Sequence, residues 1–196
     1  FSKLLMITVR PTPISDNRFI ITASKLCSAI GNVLRFLERM DKATDIIQFH
    51  YLVSDFRFTR RLNCKAFIQQ LFRKEKQPLE SISYIFCSDE YLLEINRIHL
   101  KHDYYTDIIS FDLSAPGEPT TAEIYISIDR VKENARTHKE SFQRELHRVI
   151  FHGALHLCGY KDKSAKDAAL MRKKEEECLR EYLGVSRETK QVRGTM

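Results

Sequence analysis

Two histidines four residues apart, His152 and His156, constrain this chain more than any other feature of its sequence. On a helix with about 3.6 residues per turn, this spacing places both imidazoles on one face, one turn apart. Gly159 follows them, and glycine ends helices readily because it adopts the left-handed conformation. The sequence therefore predicts a helix that stops before Gly159 and a turn that brings Asp162 back beside the two imidazoles.

These residues form a ligand set for a metal ion. Two imidazoles and one carboxylate suit Zn²⁺ and leave a fourth position open for water, as in hydrolytic rather than structural zinc centres. We therefore predict one Zn²⁺ per chain, bound by His152, His156 and Asp162. Asp162 could instead be a solvated loop carboxylate, and Asp167 is an alternative ligand. Cys158 lies two residues after His156 and faces another side of the helix, which predicts a core position.

The residue after the first histidine limits the chemistry of such a centre. Zinc peptidases with the pattern His-Glu-x-x-His carry their general base there, whereas this chain has Gly153. Neither of the next two residues, Ala154 and Leu155, can move a proton. A different hydrolysis is favoured, in which the metal or a substrate group activates the nucleophile.

Three segments, taken together, resemble the YbeY family of metal-dependent, single-strand-specific endoribonucleases of rRNA maturation. They are His-Gly-x-Leu-His-Leu-x-Gly-Tyr at residues 152–160, Ile-Asn…Asp…Thr-Asp-Ile-Ile-Ser-Phe within 95–111, and Glu-Ile-Tyr-Ile-Ser at 123–127. The resemblance runs from about residue 46 to about residue 183. The family signature ends in a histidine that is the third metal ligand. Asp162 stands in its place, so its metal role is inferred from position and chemistry.

The resemblance implies an endoribonuclease whose partners are single-stranded RNA, precursor rRNA and ribosomal subunits. The family usually has an arginine shortly after Leu-Asn that serves catalysis or RNA binding, and Leu100 stands there. Lys101 is the neighbour that we expect to supply the cation instead. The alternative function is a non-catalytic, ribosome-associated factor that keeps the metal; another zinc-dependent hydrolase, such as a peptidase, is more distant.

Composition sets bounds on location and partners. The chain of 196 residues carries a net charge of +6, but residues 1–39 hold six Lys/Arg against two Asp/Glu, so the rest is close to neutral. Charge alone therefore does not predict RNA binding by the catalytic region. An odd number of cysteines, five, without a Cys-x-x-Cys pair favours free thiols in a reducing cytoplasm. No apolar run approaches the roughly 20 residues that span a bilayer, so we expect no membrane association.

The pattern along the chain divides it into three parts. Residues 1–39 are basic and broken by prolines, and they read as an extension or as upstream sequence, with a secretory signal as another reading. Residues 40–184 form the predicted metal-dependent nuclease domain, and residues 185–196 a polar tail.

Periodicity predicts alternating strands and helices within the central part. Strands are expected over 46–52, 81–87, 107–113 and 122–128, and helices over 64–74, 89–99, 130–135, 139–158 and 164–183. Asn63, Ser88 and Ser164 are the expected N-caps. The fold class is therefore α/β of the α+β type, a single domain with one sheet of about four strands and packed helices. The resemblance adds that the sheet is mixed and that the metal-bearing helix is zincin-like, in the core beside a cleft.

Overall fold

The structure, a computed structural model, describes residues 46–192, with the side chains of residues 46–184. The predicted extension, residues 1–39, lies outside the described residues. The strands and helices of the described part follow one another in the predicted order. In chain order they are β1 (Ile47–Tyr51), α1 (Arg61–Lys74), β2 (Leu79–Cys87), α2 (Asp89–Leu100), β3 (Ile108–Asp112), β4 (Thr120–Ser127), α3 (Ile128–Thr137), α4 (Phe142–Leu157) and α5 (Ala165–Val192).

The four strands form one mixed sheet in the order β1-β2-β4-β3. β1 pairs with β2 in parallel, and β2 pairs with β4 in parallel. β3 lies at an edge and runs antiparallel to β4, with Ser110 opposite Ile124. The predicted fold class, a single α+β domain with a four-stranded mixed sheet, is confirmed.

The two faces of the sheet bury different helices. Alternate residues of a strand point to opposite faces, and in β3 Ile108 belongs to the large core cluster whereas Ile109 belongs to a small one. The large cluster unites the sheet with α1, α3, α4 and α5, and the small one lies under α2. The helix that carries His152 and His156 is therefore on the heavily covered face.

Serine side chains cap the N-termini of four of the five described helices. Ser88 Oγ accepts a hydrogen bond from Tyr91 N, and Ser164 Oγ accepts one from Asp167 N, as predicted. Ser127 and Ser141 cap α3 and α4 in the same way. The prediction that Asn63 caps α1 is wrong. That helix begins at Arg61, with Arg60 at the N-cap position and no side-chain cap, so Asn63 lies within its first turn.

Two other helix ends differ from prediction. Helix α4, which carries His152 and His156, begins at Phe142 rather than residue 139, since Lys139 has the left-handed φ of 55° and Ser141 supplies the cap. The last helix continues to Val192 rather than stopping near residue 183, because a helix tolerates Gly184 and no proline follows. Although α5 has 28 residues, no helix among residues 46–192 is both long and apolar enough to cross a membrane.

Candidate metal centre

The histidine pair lies on the last turns of α4, where the helix periodicity brings the two rings together. Their Nε2 atoms are 2.9 Å apart, and the ring centroids are 4.4 Å apart. His152 is 2% exposed, and His156 is partly buried. The pair therefore offers two nitrogen atoms to one point in space.

A glycine turn brings the carboxylate to the same place. α4 ends at Leu157, and Gly159 has a φ of 94°, which reverses the chain at no steric cost. Asp162 Oδ2 then lies 3.8 Å from His156 Nε2. The ligand atoms of His152, His156 and Asp162 all lie within 4.8 Å of one another. The structure thus brings together the three residues that the sequence predicts as ligands.

Burial keeps the second histidine ready for a metal. Desolvation, followed by the field of His152, lowers the pKa of His156 to about 3, so its ring is neutral at physiological pH. Metals bind the neutral imidazole. Partial burial raises the pKa of Asp162 above its ordinary value. In a metal-free protein this carboxylate therefore takes up a proton at a higher pH than an exposed aspartate does.

The donor set fits a metal ion. Zn²⁺ bonds of about 2.0–2.1 Å at tetrahedral angles place two ligand atoms roughly 3.3 Å apart. The two histidine Nε2 atoms are 2.9 Å apart, His156 Nε2 and Asp162 Oδ2 are 3.8 Å apart, and all the ligand atoms lie within 4.8 Å of one another. The group could therefore hold a metal ion. Cys158 is not part of it, because its side chain packs against the core and burial raises the pKa of its thiol to about 12.

The alternative ligand, Asp167, is instead hydrogen-bonded to Ser164 at the start of α5. Its backbone N–H donates to Ser164 Oγ at 3.1 Å, and Ser164 Oγ donates to Asp167 Oδ2 at 2.7 Å. These contacts hold Asp167 at the N-terminus of α5. Among the described residues, Asp162 rather than Asp167 joins the two histidines.

A buried carboxylate beside the centre was missed by the sequence reading. Glu175 on α5 is 6% exposed, and its Oε1 lies 2.5 Å from His152 Nδ1. Its Oε2 lies 3.5 Å from Arg148 Nη1. The signal in the sequence is an acidic residue within the apolar stripe of a helix, since Met171 and Leu179, one turn to either side, are both buried.

Gly153 is packed against the sheet. A Cβ at this position would lie 2.9 Å from Ile108 Cδ1 and 3.1 Å from Ile124 Cδ1. The position at which a zinc peptidase carries its glutamate is therefore filled by the core in this fold. This packing argues against a peptidase mechanism.

Comparison with known proteins identifies the family. Residues 55–183 match the model of the family described as Endoribonuclease YbeY. The chain belongs to the YbeY family. The predicted resemblance is confirmed.

Curated YbeY relatives are similar over most of their own length. One from Cytophaga hutchinsonii is 47% identical over 126 residues, which is 64% of this chain and 88% of the relative. One from Flavobacterium psychrophilum is 47% identical over 135 residues, 69% of this chain and 95% of the relative. A Thermotoga maritima protein with a known solution structure is 26% identical, with a TM-score of 0.48 over 73% of this chain and 93% of that one.

Leu100, at the position where the resemblance implies an arginine, lies at the end of α2. It is partly buried against the small core cluster. Lys101 follows with a left-handed φ of 55° and is exposed. Within the described part of the chain, no hydrogen bond or ion pair joins the Lys101 side chain to the metal cluster. Arg97 lies one turn earlier, and its Nε forms an ion pair with Asp103 Oδ1 at 2.6 Å.

Proposed function

We propose that this protein is a metal-dependent endoribonuclease that cleaves single-stranded RNA. One Zn²⁺ per chain is bound by His152, His156 and Asp162. The observation that carries the proposal is the convergence of two imidazoles and one carboxylate, within 4.8 Å, at the end of a buried helix. The curated relatives are named endoribonucleases, which indicates RNA as the substrate.

The chemistry follows from the residues present. When bound, the metal supplies a Lewis acid for a phosphoryl oxygen or for a water molecule. The imidazoles of His152 and His156 and the carboxylate of Asp162 would hold it, and Gly153 supplies no base at the position where a zinc peptidase carries its glutamate. RNA brings a nucleophile of its own, the 2′-hydroxyl. Both hydrolysis and internal attack by that hydroxyl are compatible with this arrangement.

Lys101 is proposed as the cation that contacts the phosphate. A cation at a transferring phosphoryl group stabilises charge that grows in the transition state. Lys101 is exposed at the end of α2, whereas Arg97 is already paired with Asp103. Within residues 46–184, Lys101 is therefore an exposed cation next to Leu100 that forms no ion pair, and we propose that it contacts the RNA.

The cellular setting extends the same proposal. The protein acts in rRNA maturation and ribosome quality control, with precursor rRNA and ribosomal subunits as partners. It works in the cytoplasm, since its four described cysteines are free thiols. Residues 40–184 form the nuclease domain, with residues 1–39 as an extension that folding does not need. A chain that starts at Met40 should melt within a few degrees of the full chain, and a large drop in Tm would contradict this division.

A second function is a ribosome-associated factor that keeps the metal for stability without cleaving RNA. The observation that favours it is Leu100, which places an apolar side chain in the small core cluster where the family has an arginine. Loss of that cation removes transition-state stabilisation unless a neighbour replaces it.

One assay separates the possibilities. Zinc-loaded protein is incubated with a labelled single-stranded RNA, with the same sequence as a duplex, and with casein. Cleavage of the single strand alone, lost in His156→Ala, supports the nuclease. Metal binding without cleavage of any substrate supports the second function. Digestion of casein would overturn both.

A further inference from the structure

The carboxylate of Glu175 joins the candidate metal ligand His152 to the partly buried guanidinium of Arg148. One of its oxygens, Oε1, lies 2.5 Å from His152 Nδ1. The other, Oε2, lies 3.5 Å from Arg148 Nη1. Each oxygen therefore has a separate partner, and the carboxylate cannot rotate without losing one of them.

Arg148 is itself fixed by contacts on three sides. Its Nε and Nη2 donate to the two oxygens of Glu145 at 2.8 and 2.5 Å, a bidentate pair. Its Nη2 also lies 3.7 Å from Asp107 Oδ2 at the start of β3. Asp107 in turn accepts a hydrogen bond of 3.0 Å from Asn134 Nδ2 on α3. The guanidinium thus ties α4 to the beginning of β3 and to α5.

These contacts bear directly on the histidine ring. An imidazole that donates its Nδ1–H to a carboxylate keeps the Nε2 lone pair for a metal. His152 Nε2 is the atom that faces His156 Nε2. The contact with Glu175 therefore selects the tautomer and the ring orientation that the ligand cluster requires.

We propose that Glu175 and Arg148 are positioning residues of this centre: Glu175 fixes the tautomer and orientation of His152, and Arg148 acts through Glu175 by holding its second oxygen. The proposal rests on the proposed metal centre and deepens it. Neither side chain belongs to the ligand cluster.

A purely structural ion pair would leave a different signature. Replacing a buried ion pair often changes folding stability by little, whereas removing one partner destabilises the fold. Neither effect by itself alters the affinity of a folded site for metal. A positioning role predicts a loss of metal affinity in variants that are fully folded, typically of about 10- to 100-fold for a carboxylate that orients a ligating histidine.

The experiment measures zinc affinity by chelator competition in wild type, Glu175→Ala, Glu175→Gln and a matched control, Glu177→Ala. Glu177 lies on the same helix, and its side chain is 41% exposed beside Lys174. We expect about a 10- to 100-fold loss for Glu175→Ala, a smaller loss for Glu175→Gln, whose amide oxygen can still accept from Nδ1–H, and no change for Glu177→Ala. The absorption spectrum of bound Co²⁺ should shift in the Glu175 variants only.

A double variant tests the order of action. If Arg148 acts through Glu175, Arg148→Met should weaken zinc binding, and Arg148→Met with Glu175→Ala should bind no more weakly than Glu175→Ala alone. Additive losses would overturn this order. Wild-type affinity and an unchanged Co²⁺ spectrum in folded Glu175→Gln would overturn the positioning role, including where Glu175→Ala fails to fold. Absence of zinc binding in wild type would overturn the metal centre and the positioning role together, whereas absence of RNA cleavage alone overturns only the nuclease.

Discussion

Gly153 lies so close to Ile108 that a Cβ on the glycine would stand 2.9 Å from the Cδ1 atom of the isoleucine. The same Cβ would stand 3.1 Å from Ile124 Cδ1. Glycine therefore lets α4 rest directly on the sheet. His152 and His156 lie on either side of this contact along the helix.

The first prediction concerns this contact. Gly153→Glu, which creates the His-Glu-x-x-His pattern, should lower the free energy of unfolding by at least about 3 kcal/mol, because it overpacks the core and buries a charge. It should not confer activity on casein. Urea unfolding and a casein assay check the two statements. Gly153→Ala is the control with a smaller loss, since alanine favours the helix by about 1 kcal/mol and only the tips of isoleucine side chains must move. A Gly153→Glu variant that is as stable as wild type and digests casein would contradict the conclusion that core packing excludes a peptidase base at this position.

The second prediction tests the ligands. His156→Ala should remove about one equivalent of bound zinc, and Asp162→Ala should weaken binding, both measured by elemental analysis after dialysis. Asp167→Ala is the matched control. It should destabilise α5 by about 1 kcal/mol through its cap contact with Ser164 and leave the metal content unchanged. Full metal retention in His156→Ala would show that the cluster is not the zinc site.

The third prediction concerns Leu100, at the position where the resemblance implies an arginine. Lys101→Ala should lower the rate of single-strand cleavage by about 10²- to 10³-fold, with the metal content unchanged. Leu100→Arg should cleave single-stranded RNA faster than wild type does. Arg97→Ala is the control, because its side chain is already paired with Asp103. Steady-state cleavage rates check all three variants. Wild-type rates in both Lys101→Ala and Leu100→Arg would show that this segment does not serve the phosphate.

The fourth prediction follows from a buried histidine on α4, the helix that carries the candidate metal ligands. His147 is 1% exposed, and its Nδ1 lies 2.5 Å from the carbonyl oxygen of Gln143. Its ring packs on Tyr182, with centroids 4.6 Å apart. Burial lowers the pKa of His147 to about 4, whereas the unfolded chain titrates near 6.5. The unfolded state therefore binds a proton first, and stability should fall as the pH drops from about 6.5 to about 4.

Between pH 7.5 and pH 5, this residue should cost about 2 kcal/mol of stability. His147→Phe keeps an aromatic ring on Tyr182 and removes the proton site. Urea unfolding of wild type and variant at both pH values checks the difference, in which the other titrating groups cancel. An equal pH dependence in the two proteins would contradict a neutral His147.

Local features of the fold and site were predictable from the sequence. The meeting of His152 and His156 follows from the helix period, and the caps at Ser88 and Ser164 follow from side-chain chemistry within three residues. The contact of His152 with Glu175 spans 23 residues of sequence and depends on how α4 packs against α5. No local pattern determines that packing, so the contact of Glu175 could not be predicted from the sequence. Its position within an apolar stripe is nevertheless unusual for a carboxylate.

The burial of α4 determines how slowly solvent reaches the backbone that carries His152 and His156. Every residue from Glu145 to Leu155 is buried except Arg148, which is half-buried. Amide protons of such a helix exchange with deuterium only when the whole domain opens, so this stretch should be among the slowest of the molecule. A metal ion held by the candidate ligands would come and go at the end of the helix near Asp162, while the backbone that carries His152 stays closed for as long as the domain is folded.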